Sequence, residues 1–342
     1  MKNYNVHLIV GLLVSLALLV WVICRTDWGE VGQQLLEANW LMLLAVFVGM
    51  IASVALRSWR WGIMLESEDA ECSFLTLFDL TSLNYLANNL LPARLGDIIR
   101  AYLSGEWMNV SFSFALSTTV VERVLDTLFV VIMLFGILPF LPVPVPVAQT
   151  GLLLGIAFFF GGVMLVIAAW QREMSERLIR TFLRPLPLSE PLWTDRLVAL
   201  LDGFALVRQP LRFARVLWST LIIWLVGSCS YWFALRAFNL DFLDSEVSFT
   251  ISLVALGTAV PSGPAAAGTF DAAITGALEI FNVPTALAGG VALIIHVINF
   301  IALTTLGACS LRRRGLSLGC LASQAKMVGS GSTGVMRPKE IR

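Results

Sequence analysis

Glu122, Arg123 and Asp126 stand together at the start of a long apolar run, where ionisable groups are costly and each needs a reason to be there. Glu122 and Asp126 are four residues apart and share one face of a helix, while Arg123 points about 100° away. Two roles are open. The three can form an interfacial salt-bridge cluster that locks neighbouring helices. Alternatively they line a polar cavity, with a carboxylate free to pair with Arg94 or Arg100 or to take up a proton. Arg94 and Arg100 bracket Gly96, just after Pro92 ends one helix and before another begins. A helix N-terminus beside arginine suits a phosphate, because free N–H groups and guanidinium point at the same anion; the other reading is that both arginines snorkel to the headgroup layer. Asn84 and Asn88 share a helical face just upstream, where they either satisfy the broken backbone or contact a headgroup. Asn88 and Asn89 are candidates, with the two arginines, for contacts to a lipid headgroup.

A second interrupted stretch carries Pro261, Gly263, Pro264 and Gly268, then Asp271. The glycines permit tight turns and close helix contact. Asp271 either caps a helix N-terminus or acts as an ionisable gate. His296 and Asn299 lie one turn apart further on, where a histidine serves as a helix-to-helix hydrogen-bond donor or as a proton relay. Arg57 and Arg60, set among Trp59 and Trp61, read as positively charged anchors at a membrane surface. The five cysteines are scattered without CxxC spacing, so neither a disulfide framework nor a metal site is expected. GxxxxGK[ST], GxSxG, HExxH and a GxGxxG opening a soluble βαβ unit are all missing. No cofactor, no metal and no enzymatic activity are therefore expected, and ATP-driven transport by this chain alone is not.

The elements that must hold these residues follow from composition. With 58% hydrophobic and 13% charged residues the chain suits a lipid-embedded bundle better than a soluble domain, and its zero formal net charge argues against a nucleic-acid partner. Six segments of roughly 8–24, 40–57, 120–141, 151–170, 214–237 and 286–311 are apolar enough to span a bilayer. The fold class expected is an all-α polytopic membrane protein. Two further apolar stretches, 74–103 and 249–281, are broken by Pro, Gly, Asn and charged residues and read as re-entrant helical hairpins entering from opposite sides. Such breaks in corresponding positions suggest an inverted repeat. Arginines in the 171–215 connection and at 312–314 place both on the cytoplasmic side, with both termini. Residues 171–215 read as basic amphipathic helices on the inner leaflet, residues 1–314 as the membrane domain and 315–342 as a disordered tail.

Three blocks resemble one family. Asn89 to Arg100 (NLLPARLGDIIR), Glu122 to Asp126 (ERVLD), and Pro261 through Gly268 with Asp271 look like the signatures of the flippase-like transmembrane domain of lysylphosphatidylglycerol synthetases and their stand-alone relatives. The third block departs from the family pattern: Ala265 and Ala266 stand where glycines are usual, and Asp271 near the position of a glutamate. The resemblance implies a multi-helix inner-membrane fold and movement of a lipid between leaflets, the substrate being an aminoacylated phospholipid in synthetases and a glycolipid or other lipid in relatives. It also implies that the acyltransferase domain of the synthetases is lacking here. The expectation is an inner-membrane lipid translocator whose partners are membrane lipids and an envelope lipid synthase. The alternative is a membrane-embedded accessory subunit or enzyme of envelope lipid biosynthesis.

Overall fold

The computed structural model describes residues 16–24, 26–66, 73–91, 94–143, 208–259 and 263–319, with Leu206 and single positions between 149 and 171. Nine helices are traced in full among them. They are α1 Trp28–Glu37, α2 Trp40–Leu65, α3 Phe74–Leu90, α4 Leu95–Met108, α5 Phe112–Ile137, α6 Pro210–Arg236, α7 Asp244–Ala259, α8 Thr269–Ile280 and α9 Thr285–Arg314. Their ends carry recognisable stop and start chemistry. The side chains of Asn39, Ser73 and Ser111 accept backbone N–H groups at the starts of α2, α3 and α5. Proline opens α6, and Gly315, at φ 66°, closes α9 in the left-handed conformation.

Among the described residues four helices are long and apolar enough to cross a membrane: α2, α5 with its 3-10 extension to Phe140, α6 and α9. They correspond to the expected spans 40–57, 120–141, 214–237 and 286–311, but α2 continues to Leu65 and α5 starts at Phe112. An apolarity reading stops short at Arg57 and begins late near Glu122, because it treats each charge as an exit from lipid. Here those charges face other protein groups, and the helices run on. Of the other two expected spans, residues 16–24 and single positions from 153 to 167 are helical. The remainder, the basic stretch 172–205 and the tail beyond 319 lie outside the described residues. Residues 28–37, between the first two expected spans, form the amphipathic helix α1, which packs against α9.

The two interrupted stretches are helix–break–helix units. In one, α3 and α4 flank residues 91–94; in the other, α7 and α8 flank a break that holds the 3-10 turn Pro264–Ala266. In both units the two helices pack on each other, and the same neighbours recur. The unit α3–α4 is followed by α5 and preceded by α2; the unit α7–α8 is followed by α9 and preceded by α6. Contacts α2·α3, α3·α4 and α4·α5 have counterparts in α6·α7, α7·α8 and α8·α9. Across the molecule α2 lies along α6, α3 along α9 and α5 along α7.

The open ends of the two units lie at opposite ends of the bundle. Arg314, at the end of α9, donates from Nε to Asp79 Oδ2 at 2.7 Å in the first turns of α3, and its guanidinium stands 4.7 Å above the Trp107 ring near the end of α4. Glu66, just past α2, receives Arg215 from the start of α6 at 2.8 Å. At the other end Asn39 N–H reaches the Ala237 carbonyl at 2.9 Å, joining the start of α2 to the end of α6. There Phe281, after α8, packs against Phe249 and Phe242 around the start of α7. The outward faces carry large apolar side chains such as Leu44, Val48, Ile132, Leu225 and Ile301, which suits contact with lipid rather than water.

Candidate functional site: a cationic cavity between two helix breaks

Charges left isolated in such a bundle would be unstable, and the fold resolves this by pairing. Arg60, 1% exposed, extends from α2 to Asp126 of α5, donating to Oδ1 at 2.6 Å and Oδ2 at 3.1 Å, and to Thr220 Oγ1 of α6 at 3.0 Å. Arg57, one turn earlier, donates to the same Asp126 Oδ2 at 2.8 Å. Arg100 of α4 donates to Thr119 Oγ1 at 2.7 Å and to Glu122, with its guanidinium 4.4 Å above the Trp61 ring. Glu122 also lies 3.7 Å from Arg60. Arg123 turns the other way, to Asp97 at 3.1 Å. Of the two roles read from sequence for Glu122 and Asp126, the salt-bridge cluster describes the contacts. It also borders a cavity.

That corrects one expectation. Arg57 and Arg60 are not surface anchors: Arg60 is buried and Arg57 is only 20% exposed at the side chain. The sequence did carry a signal. Arg57 and Arg60 are three apart on one apolar helix, Glu122 and Asp126 four apart on another, so each pair presents one face. Two complementary pairs in membrane-length helices satisfy each other more readily than either satisfies the lipid. A further pairing, buried Asp79 with Arg313 at 3.3 Å and Arg314, was not anticipated at all.

Asparagines connect the pairs to the first break. Asn84 donates to Asp97 Oδ1 at 2.8 Å, Asn88 donates to Asn84 Oδ1 at 2.8 Å, and Gly96 N–H donates to Asn88 Oδ1 at 2.9 Å. Gly96 is required here: a Cβ would stand 2.1 Å from the Asn84 carbonyl oxygen. Asn89 instead donates to Thr304 Oγ1 of α9 at 3.2 Å. Arg94 precedes α4 in the left-handed conformation (φ 53°, ψ 40°), and its guanidinium crosses to the Thr258 carbonyl at the end of α7. One break thus touches the other. Pro92 and Pro261 lie outside the described residues.

At the second break the backbone strain is not where the glycines suggested. Gly263 has φ −63° and ψ 178°, a conformation open to any residue, whereas Ala265 and Ala266 both take φ 56°. Gly268 does need its freedom, at φ 84°. Pro264 opens the 3-10 turn. Asp271 is fully buried, accepts Gly268 N–H at 2.9 Å and lies 2.8 Å from His296 Nδ1, so it both caps α8 and ties it to α9. His296 bonds Asp271 rather than Asn299, whose buried Oδ1 has no partner among the described residues.

Between the breaks lies a cavity of about 340 Å3. Its polar wall includes Arg57, Arg94, Arg123, Asp126, Asn88 and Asn89, and its apolar wall includes Val54, Val130, Trp224, Ile251, Phe270 and Leu303. A second pocket of about 20 Å3, room for one water, sits among Arg60, Arg100, Glu122 and their neighbours. Among the described residues Arg57, Arg60, Arg94, Arg100 and Arg123 face only Asp97, Glu122 and Asp126, so the assembly carries surplus positive charge. Arg94 makes no ion pair among the described residues. No cluster of metal-ligating side chains is present among them. Chemically the arrangement fits an anion with an attached apolar body.

The sequence profile of the lysylphosphatidylglycerol synthase transmembrane region matches residues 8–307. Among curated proteins, a UPF0104 membrane protein of Methanothermobacter thermautotrophicus (strain Delta H) is 23% identical over 309 residues, covering 87% of this chain and 90% of the relative. A UPF0104 membrane protein, MJ1595, of Methanocaldococcus jannaschii is 26% identical over 125 residues, 36% of each chain. No solved structure matches. A profile that spans nearly all of the membrane bundle and both helix breaks shows where this sequence belongs: it is a member of the lysylphosphatidylglycerol synthase transmembrane-region family.

Proposed function

We propose that this protein moves a lipid between the leaflets of the inner membrane, holding the headgroup in the cavity between the two breaks while the acyl chains stay in the bilayer. The observation that carries this reading is the cavity itself. It is about 340 Å3, at the small end of ligand sites, so it suits a headgroup and not a whole lipid. Guanidinium groups line it, and both breaks border it. Irregular backbone at membrane depth is tolerated where it lines such a cavity.

The helix order supports alternating access. A span, a broken hairpin and a span recur as α2 to α5 and α6 to α9, with hairpins opening toward opposite ends of the bundle. We read this as an inverted repeat with two re-entrant hairpins whose tips meet at Arg94 and Thr258. With the arginine-rich end at Arg312–Arg314 in the cytoplasm, both termini are cytoplasmic. Reporter fusions after Arg25, Pro146 and Leu240 are expected to read outside, and those after Arg184 and Arg314 inside. A lipid reaching the cavity from a separate synthase accounts for the envelope partner. An enzymatic role suits the site less well, because Glu122 and Asp126 are each held by two guanidinium groups, which leaves neither carboxylate free to face a substrate.

Reconstitution tests the reading. Purified protein in phosphatidylcholine vesicles with a trace of fluorescent phospholipid is expected to make inner-leaflet probe accessible to a membrane-impermeant quencher faster than in protein-free vesicles. Rates no faster than in protein-free vesicles, with phospholipid and glycolipid probes alike, would refute translocation.

A further inference from the structure

The charge balance of the cavity bears on which lipids it admits. Arg57, Arg94 and Arg123 line it against a single carboxylate, Asp126. That carboxylate is fully engaged, with Arg57 2.8 Å from Oδ2 and Arg60 on both oxygens at 2.6 and 3.1 Å. The acids behind it are engaged too: Glu122 by Arg100 and Arg60, Asp97 by Arg123 and Asn84. At the second break Asp271 is turned inward to Gly268 N–H and His296. No carboxylate on the described cavity wall is left to receive an ammonium group, while Arg94 on that wall has no ion-pair partner among the described residues and the cluster as a whole sets five arginines against three acids. The other polar groups on the wall, among them Asn88, Asn89, Tyr85 and Asn299, are neutral, and Asn299 holds a buried Oδ1 with no donor among the described residues.

We infer that the cavity selects lipids whose headgroup is a phosphodiester with a neutral, hydroxyl-bearing substituent, and rejects headgroups with net positive charge such as lysyl esters. This rests on the translocator reading of the same cavity, but departs from the lysyl headgroup in the family's name. Guanidinium groups match phosphate oxygens with paired N–H donors. A hydroxyl supplies the donor that the Asn299 oxygen lacks. An ammonium meets like charge in a partly desolvated site, where no carboxylate compensates it.

The test uses the full-length protein in phosphatidylcholine nanodiscs carrying a minor fraction of phosphatidylglycerol or lysylphosphatidylglycerol, with bound lipid counted by native mass spectrometry. Retention of phosphatidylglycerol is expected to exceed that of the lysyl lipid about tenfold or more, the size of one charge-assisted contact. Arg94→Gln, checked for an unchanged melting profile, is expected to shrink that preference severalfold. Equal or better retention of the lysyl lipid overturns the selectivity while leaving translocation standing. Retention of phosphatidylglycerol with no acceleration of flipping in vesicles supports the selectivity and refutes translocation instead. Neither lipid retained above phosphatidylcholine overturns both. Complete displacement by free glycerol phosphate would reassign the site to a soluble anion.

Discussion

Replacing Arg60 by methionine tests whether the buried charge cluster holds the bundle together. The substitution keeps the length and apolar body of the side chain and removes only the guanidinium. Lost with it are two hydrogen bonds to Asp126, at 2.6 and 3.1 Å, one to Thr220 at 3.0 Å, and the approach to Glu122 at 3.7 Å. Breaking a buried ion pair costs about 3–5 kcal/mol, because the remaining charge is stranded. Asp126 is not wholly stranded here: Arg57 stays at 2.8 Å, and Glu122 keeps Arg100. The lower end, about 3 kcal/mol, is therefore expected, which lowers Tm on the order of 5 °C or more. Adding Asp126→Leu removes the acid that lost its partner, so the double variant is expected to melt above the sum of the two single losses by roughly 1–3 kcal/mol of coupling. Arg215→Met supplies the comparison. Its pair with Glu66 is 51% and 41% exposed, and its loss should change stability by about 0.5 kcal/mol or less. Thermal melting of wild type and the four variants (Arg60→Met, Asp126→Leu, their double and Arg215→Met) in one detergent reads the outcome. If Arg60→Met melts with wild type and Arg215→Met, Arg60 is a surface anchor and the cluster does not carry the fold.

Arg94 should behave in the opposite way, because it has no carboxylate partner: Arg94→Ala is expected to melt close to wild type but to lose lipid binding about tenfold to a hundredfold, with Arg94→Lys between the two. Gly96→Ala forces a Cβ to within 2.1 Å of the Asn84 carbonyl oxygen, and a loss of about 1–3 kcal/mol in thermal stability is expected as α3 and α4 separate. Asp271→Asn retains an acceptor for Gly268 N–H and a hydrogen-bonding group for His296, so its melting temperature should stay near wild type. Asp271→Leu leaves both unpaired, and a drop of about 2–3 kcal/mol is expected.

The four long spans, the two broken stretches and the Glu122–Asp126 pair were legible in the sequence, for reasons local to each segment: apolar run length, Pro and Gly punctuation, and helical spacing. What escaped was partner choice. Arg60 looks like an anchor because it sits between Trp59 and Trp61, and nothing within 20 residues shows that Asp126 awaits it. Asp79 and Arg314 are 235 residues apart, and Asp271 and His296 are 25 apart on separate helices, so only the folded packing joins them. Backbone conformation was also hidden at the second break. Glycine at 263 suggested the tight turn, but the chain places Ala265 and Ala266 in the left-handed region, at roughly 1–2 kcal/mol each.

The contact between Arg94 and Thr258 runs to a main-chain carbonyl, at the C-terminal end of α7 where carbonyls lack helical partners. Every residue type supplies that acceptor equally. Substitutions at 258 therefore place no selective pressure on 94, and the two positions should drift independently in related sequences even though they join the two halves of the bundle. Side-chain pairs such as 60 with 126, or 79 with 314, should instead change in concert. Methods that infer contacts from correlated variation would map the charge cluster and pass over the junction between the hairpin tips.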